Sequence, residues 1–301
     1  MTGMKKLLQI IRFINGHPLA RRHKLKAYWR FLYWQISQSI YPHELIYSFV
    51  GGTKLVVKKG LTGATGNIYT GLHEFSDMGF LIHFLRKDDL FFDIGANVGS
   101  YTVLAGGYSG ARTVAIEPIP KTFSWLIRNL AVNNLQQKVK PKNIGMGSQK
   151  GKLHFTAAYD TVNHVLSKDE ISRGEYAVDV QIETFDSISS AEGIPGLVKI
   201  DVEGYETEVL KGMENSLKSD LLKAIIIELN GSGMRYGYEE SWIDKCLREN
   251  NYKPYQYDPF SRILQEVEHF GSHNTIYIRD IDFVKDRLAN AEKLTVFSEN
   301  F

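Results

Sequence analysis

An α/β fold on a mostly parallel sheet is what the sequence predicts, and three stretches predict it. Leu90-Phe-Phe-Asp93-Ile-Gly95-Ala-Asn97-Val-Gly99, Thr113-Val-Ala-Ile-Glu117-Pro118 and Leu197-Val-Lys199-Ile-Asp201-Val-Glu203-Gly204 are apolar runs that lead into carboxylates. Short continuous apolar runs read as strands covered on both faces, as in parallel sheet. A helical pattern follows each one, as helices wound over a sheet require. At 301 residues, 43% hydrophobic and 23% charged, the chain suits one large soluble domain with appendages. No apolar run reaches membrane-spanning length. The single cysteine, Cys246, has no intrachain partner and fits a reducing, cytoplasmic compartment.

Residues 1–50 read as a basic, aromatic, helical extension, and residues 51–301 as the main domain. Eight of the 36 basic residues lie within residues 1–43, which contain no acid, so the other 258 residues hold 28 basic against 34 acidic groups. Leu25, Tyr28, Trp29, Leu32, Tyr33 and Ile36 recur at helical spacing. They predict a helix docked on the main domain by this aromatic face, with its charges solvated. The alternative is a peripheral contact with the inner face of an anionic membrane, or with a charged partner such as a glycosyltransferase. Nucleic acid is excluded as a partner, because the basic excess stops at one segment and the main domain is acidic. Residues 4–14 start like a signal peptide, but Arg12 interrupts the apolar core and no cleavage pattern follows.

Residues 51–71, glycine-rich around Leu55-Val-Val57, predict a small β element and a loop. Phe75, Met78, Leu81, Ile82 and Leu85 mark a helix over residues 74–86. Glu74 near its start either favours the helix dipole or reaches a cofactor's amino group. The next strand turns into a helix through G-x-x-x-G, not the G-x-G-x-x-G of dinucleotide sites. Glycines there permit close approach to a ligand. The Asp93 carboxylate would repel a pyrophosphate and suits the sulfonium and amino groups of S-adenosylmethionine. Glu117 ends the second strand 24 residues later, placed to accept both hydroxyls of a ribose, and Pro118 stops the ladder.

Phe123, Leu126, Ile127 and Leu130 line one side of a helix over residues 121–134. A weaker third strand, residues 139–147, is broken by Pro141 and sets Asn143 near the adenine edge. Residues 151–156 and 178–183 alternate and pair around a polar loop, residues 160–175, which carries Asn163 and His164. His164 is a candidate base or substrate contact. In the third apolar run Lys199 and Asp201 stand two apart and share a face, with Glu203 at the carboxyl end. A structural Lys199–Asp201 ion pair is the alternative use of those charges. Lys223-Ala-Ile-Ile-Ile-Glu228-Leu-Asn230 repeats the pattern. After a helix over residues 242–249, strands at residues 252–257 and 274–278 flank Asp258-Pro-Phe-Ser-Arg262. They predict an antiparallel strand inserted at the sheet edge, before a closing helix over residues 281–293.

Four motifs, D-I-G-A-N-V-G (93–99), A-I-E-P (115–118), K-I-D-V-E-G-Y-E (199–206) and I-I-I-E-L (225–229), together resemble the FkbM-type family of S-adenosylmethionine-dependent methyltransferases. The resemblance runs from about residue 66 to residue 279. It implies a Rossmann-like, seven-stranded class I methyltransferase sheet with a reversed last strand, and O-methylation of a sugar, polysaccharide, glycolipid or related metabolite. It also implies that Asp93, Gly95, Asn97 and Gly99 cradle the methionine part of the cofactor. Glu117, with Pro118 beside it, then holds the ribose, and Asp201, Glu203 and Glu228 line the transfer cleft. The loops around His164 and residues 257–262 become the acceptor site.

Removal of the acceptor's proton then falls to Asp201, Glu203, Glu228 or His164, with Asp201 first among them. Two of the carboxylates could instead hold a divalent metal ion that acidifies the hydroxyl. Two rivals remain at this level. A nicotinamide-dependent oxidoreductase is disfavoured by the missing G-x-G-x-x-G, and a non-catalytic S-adenosylmethionine-binding protein by the number of strand-end charges.

Overall fold

Why these residues make a layered α/β domain is clearest from the order of elements. The computed structural model describes residues 3–156, 163–173, 177–271 and 273–301. Helices α1 (Gly3–Gly16) and α2 (Lys24–Ile40) precede a hairpin of β1 (Leu45–Ser48) and β2 (Lys54–Val57). This hairpin straddles residue 50, so the extension and the main domain share a pairing. Helix α3 (Thr62–Thr70) follows where a loop was expected. Its T-G-A-T-G-N-I-Y-T sequence has weak helix propensity, and burial of Ala64, Ile68 and Tyr69 outweighs it.

Helix α4 (Phe75–Phe84) leads into β3 (Leu90–Ile94), α5 (Ser100–Val103) and a π turn over Leu104–Tyr108. Then come β4 (Arg112–Ile116), α6 (Pro120–Val132), β5 (Val139–Lys142) and β6 (Gly145–Met146). The expected third strand is thus divided in two. The predicted pair β7 (Gly151–Thr156) and β8 (Ala177–Glu183) is antiparallel, and with β6 it forms a separate small sheet. Helices α7 (Lys168–Ser172) and α8 (Phe185–Glu192) precede β9 (Leu197–Ile200), α9 (Glu206–Lys211) and β10 (Ala224–Glu228). Helix α10 (Glu240–Glu249), β11 (Lys253–Asp258), β12 (Ile263–Glu266), β13 (Asn274–Ile278) and α11 (Ile281–Ala289) follow. A short hairpin, β14 (Thr295–Val296) and β15 (Glu299–Asn300), closes the chain.

The main sheet runs β12-β11-β13-β10-β9-β3-β4-β5. Strands β5, β4, β3, β9 and β10 are parallel, and β13 enters antiparallel between β10 and β11. This is the class I methyltransferase form of the Rossmann-like sheet, with β12 added at the edge as an eighth strand. The reversed strand β13 is therefore third from that edge, inside β12 and β11. Period-two alternation divides the apolar residues between two layers: Phe91 and Ile226 pack with α4 and α11, while Phe92, Ile225 and Ile227 pack with α9 and α10.

The extension joins a third core, in which Phe31 and Trp34 of α2 meet Leu55, Val103 and Leu126. The docked face of α2 is Ala27, Phe31, Trp34 and Gln38, not the stripe expected. Leu25, Trp29, Leu32, Tyr33 and Ile36 point outward and are all at least 50% exposed. Apolar residues surround most of this helix, so its periodicity fits more than one face.

Candidate active site

The same alternation that builds the sheet gathers its charges. Asp93 is in register with Ala115 on β4 and with Lys199 on β9, and Lys199 is in register with Ile226 on β10. Paired residues share a face, and two steps along each strand return to it. Asp93, Glu117, Lys199, Asp201 and Glu228 therefore meet on one face at the carboxyl edge of the parallel strands. A cavity of about 580 Å³ opens there and all five line it.

At one end the loop after β3 is tightly drawn in. Gly95 has φ +78°, and a Cβ on it would lie 1.7 Å from the Asp201 carbonyl oxygen. Only glycine allows this loop and the end of β9 to approach so closely. Thr102 Oγ1 donates to Asp93 Oδ2 at 2.5 Å, and Asp93 is 1% exposed. Burial raises its pKa, with Lys199 opposing. Glu117 receives a backbone N–H on each oxygen, from Ile119 at 2.9 Å and Asn97 at 3.0 Å. Burial nevertheless pushes it up to about 7. Asn97 itself has φ +52° and accepts the Val98 N–H through its side chain. Glu74 precedes α4 without capping it. It accepts instead from Tyr101 Oη at 2.7 Å and Asn274 Nδ2 at 3.0 Å, and it lines the cavity.

At the other end Lys199 Nζ bonds Asp201 Oδ2 at 2.6 Å and stands 4.8 Å from the Tyr101 ring centre. Burial works against the ammonium, yet Asp201, Glu74 and Asp93 together hold its pKa above the ordinary lysine value. Asp201, Glu203 and Glu228 each offer an oxygen within 4.8 Å of the others. Burial, then Asp201 and Glu206, push Glu203 up to about 7, with Arg235 and Lys199 opposing. Glu203 sits in the left-handed region at φ +56°, an uncommon conformation for a non-glycine residue. Glu206 holds this turn by accepting the Val202 and Gly204 N–H groups at 3.0 and 3.2 Å. Burial, Asp201 and Glu203 raise Glu228 well above the carboxylate range. Its Oε2 is buried with no hydrogen-bond partner among the described residues.

The family model described as "Methyltransferase FkbM domain" matches residues 93–254, more than half of the chain. The chain belongs to the methyltransferase FkbM family. Hexuronic acid methyltransferase AglP of Haloferax volcanii is 30% identical over 173 residues, covering 56% of this chain and 65% of that protein. Methyltransferase sdnD of Sordaria araneosa is 29% identical over 203 residues, 57% of this chain and 78% of that one. The chain thus spans just under two thirds of the length of AglP. A crystal structure of methyltransferase FkbM from Methylobacillus flagellatus KT is 15% identical, with a TM-score of 0.43 over 71% of this chain and 52% of that one.

Against this FkbM frame, Asp93, Gly95, Asn97, Glu117, Pro118, Glu74, Asp201, Glu203 and Glu228 all line the cavity as expected by position. Four other expectations need correcting. Gly99, at φ +89°, is outside the lining and starts α5, where a Cβ would meet Leu126 Cδ1 at 2.5 Å. Asn143 does not reach the cavity either; its amide donates to the Glu117 and Pro118 carbonyls at 2.8 and 2.9 Å, bracing that turn. His164 is 6% exposed, outside the lining, and bonds Glu170 of α7 at 2.9 Å, whereas its neighbour Asn163 lines the cavity. Residues 160–162 and 174–175 of that loop lie outside the described residues. Finally, the segment 257–262 is structural. Tyr257 is 3% exposed and bonded to His83, and Arg262 donates to the Leu288, Ala289, Ala291 and Glu292 carbonyls.

The aromatic wall beside the cavity comes from elsewhere. Tyr205, just past Gly204, lines it and meets Tyr236 edge-on at 5.4 Å, with Tyr238 at 5.9 Å from Tyr236. Arg235 is exposed beside them and reaches the Glu203 carbonyl at 3.5 Å. A signal for this cluster was present, since R-Y-G-Y (235–238) comes seven residues after the acid that ends β10. The extension also contributes to the cavity, through Ile10 and Phe13 of α1 and Trp34 and Gln35 of α2.

Proposed function

We propose that the chain transfers a methyl group from S-adenosylmethionine to a hydroxyl of a sugar, with an acidic sugar such as a hexuronic acid as the acceptor class. The observation that carries this reading is a cavity with two kinds of acid at its ends. At one end they are fixed by hydrogen bonds, and at the other they are crowded and incompletely bonded. A volume of about 580 Å³ falls within the usual range for small-molecule sites, roughly 300–1,000 Å³. The residues fit the donor: Glu117 has two further lone pairs for ribose hydroxyls, Asp93 and Glu74 set negative charge for its cationic end, and Gly95 keeps the floor clear.

When bound, S-adenosylmethionine supplies a methyl carbon on a sulfonium, which leaves as a neutral thioether. The remaining work belongs to the chain. A sugar hydroxyl is a weak acid, so its proton must move to a base as the new C–O bond forms. Glu203 takes that proton, because a group at about 7 is both ionised and basic enough near neutral pH. Asp201 is committed to Lys199 and orients the edge, while Glu228 offers its unpartnered oxygen to a second acceptor hydroxyl. Tyr205 and Tyr236 give a pyranose ring a face to stack on, and Arg235 matches a uronate carboxylate.

A second reading has a specific observation behind it. Asp201, Glu203 and Glu228 could bind a divalent cation that acidifies the hydroxyl, since their oxygens are within 4.8 Å of one another. Full turnover in excess EDTA eliminates it. The main proposal is tested by labelled-methyl transfer onto glycans bearing uronic acids and onto neutral glycans. Preferential labelling of the acidic set is expected, and label on neither set overturns the acceptor assignment.

A further inference from the structure

We propose that the outward face of α2 is a docking surface for an anionic lipid bilayer. Leu25, Trp29, Leu32, Tyr33, Ile36 and Ile40 lie along one side of the helix, 50–86% exposed. No described residue buries them, whereas the reverse face is engaged through Ala27, Phe31 and Trp34. An amphipathic helix whose free side carries Trp, Tyr and aliphatic residues is built to lie in a bilayer interface. Among the described residues no helix is long and apolar enough to cross a membrane, so the contact is peripheral.

Charge selects the occupant. Residues 1–43 contain no acid, and Arg21, Lys24 and Lys26 are exposed at the start of α2. A basic segment beside an apolar face is attracted to anionic headgroups. The net negative charge of residues 44–301 turns the rest of the molecule away from them. A second copy of the chain is a poor match, because it would bring two basic faces together. Docking this way also sets the cavity close to the lipid, since Trp34 and Gln35 line it from the opposite side of the same helix.

The test is sedimentation of the full chain with vesicles of phosphatidylcholine alone, and with about one third phosphatidylglycerol. Neither methyl donor nor acceptor is present, so the result is independent of the catalytic reading. Binding to the anionic vesicles is expected, weakening as salt rises. Trp29→Ser with Tyr33→Ser should weaken it roughly tenfold without lowering the thermal midpoint. Lys24→Glu with Lys26→Glu should abolish the preference for phosphatidylglycerol. No binding to anionic vesicles, or equal binding by the Trp29/Tyr33 variant, overturns the proposal. So does a solution dimer that Trp29→Ser disperses, which would assign the face to a second copy.

Discussion

The two ends of the cavity use the same residue types and treat them differently. Asp93 and Glu117 are buried but answered, by Thr102 in one case and by two backbone N–H groups in the other. Asp201, Glu203 and Glu228 are less deeply buried, yet they crowd one another, and among the described residues Glu228 Oε2 has no hydrogen-bond partner. A buried acid with matched donors is a rigid acceptor of hydrogen bonds. Burial lifts Glu117 to about 7 just as it lifts Glu203, so the ends differ in how their oxygens are hydrogen-bonded and crowded rather than in proton affinity. On the proposed reading, the hydrogen-bonded end binds the donor and the crowded end takes the proton.

The largest effect should come from the second end. Glu203→Gln is expected to lower kcat by roughly 10²–10⁴-fold with little change in donor affinity. In the unaltered protein, kcat/KM should rise with pH through about 7 and level above it, as Glu203 loses its proton. The Gln variant should lack that inflection. An unchanged profile would remove Glu203 from the role of base.

A smaller effect probes stability. Burial and like charges raise Glu228 from 4.5 to about 9. The folded state therefore binds a proton that the unfolded state has released, and stability falls as pH rises between those values. Glu228→Gln removes this penalty, so the variant should be the more stable one at pH 8, by on the order of 1 kcal/mol. The advantage should shrink towards about pH 4.5. Denaturation at both pH values checks the sign. Smaller still, Tyr236→Ala should raise KM for a sugar acceptor by roughly two- to tenfold and leave kcat nearly unaltered, as measured by steady-state kinetics.

Much of this arrangement was legible in the chain. Strand-end acids of Asp93, Glu117, Asp201 and Glu228 are readable because an apolar run fixes the parity of the residue that ends it. The Lys199–Asp201 pairing follows from period two in the same way, and the structure shows that the ion pair and the cavity lining are one feature. What escaped reading depends on which partner a polar side chain finds once the chain has folded. Asn143 and His164 are polar residues in turns, and only the fold reveals that one braces a carbonyl pair and the other pins α7. The docked side of α2 was misjudged because burial there follows the shape of the partner surface. Ala27 is buried while the larger Trp29 is not. The antiparallel strand expected towards the sheet edge is β13, and only the fold shows that β11 and β12 lie beyond it.

Calorimetric titration with S-adenosylmethionine tests whether the hydrogen-bonded end of the cavity holds a methyl-donor nucleoside. Saturable one-to-one binding is expected, weakened roughly 10–100-fold by Glu117→Gln and unaffected by Glu203→Gln. Absence of binding, or equal affinity in the Glu117 variant, would contradict it.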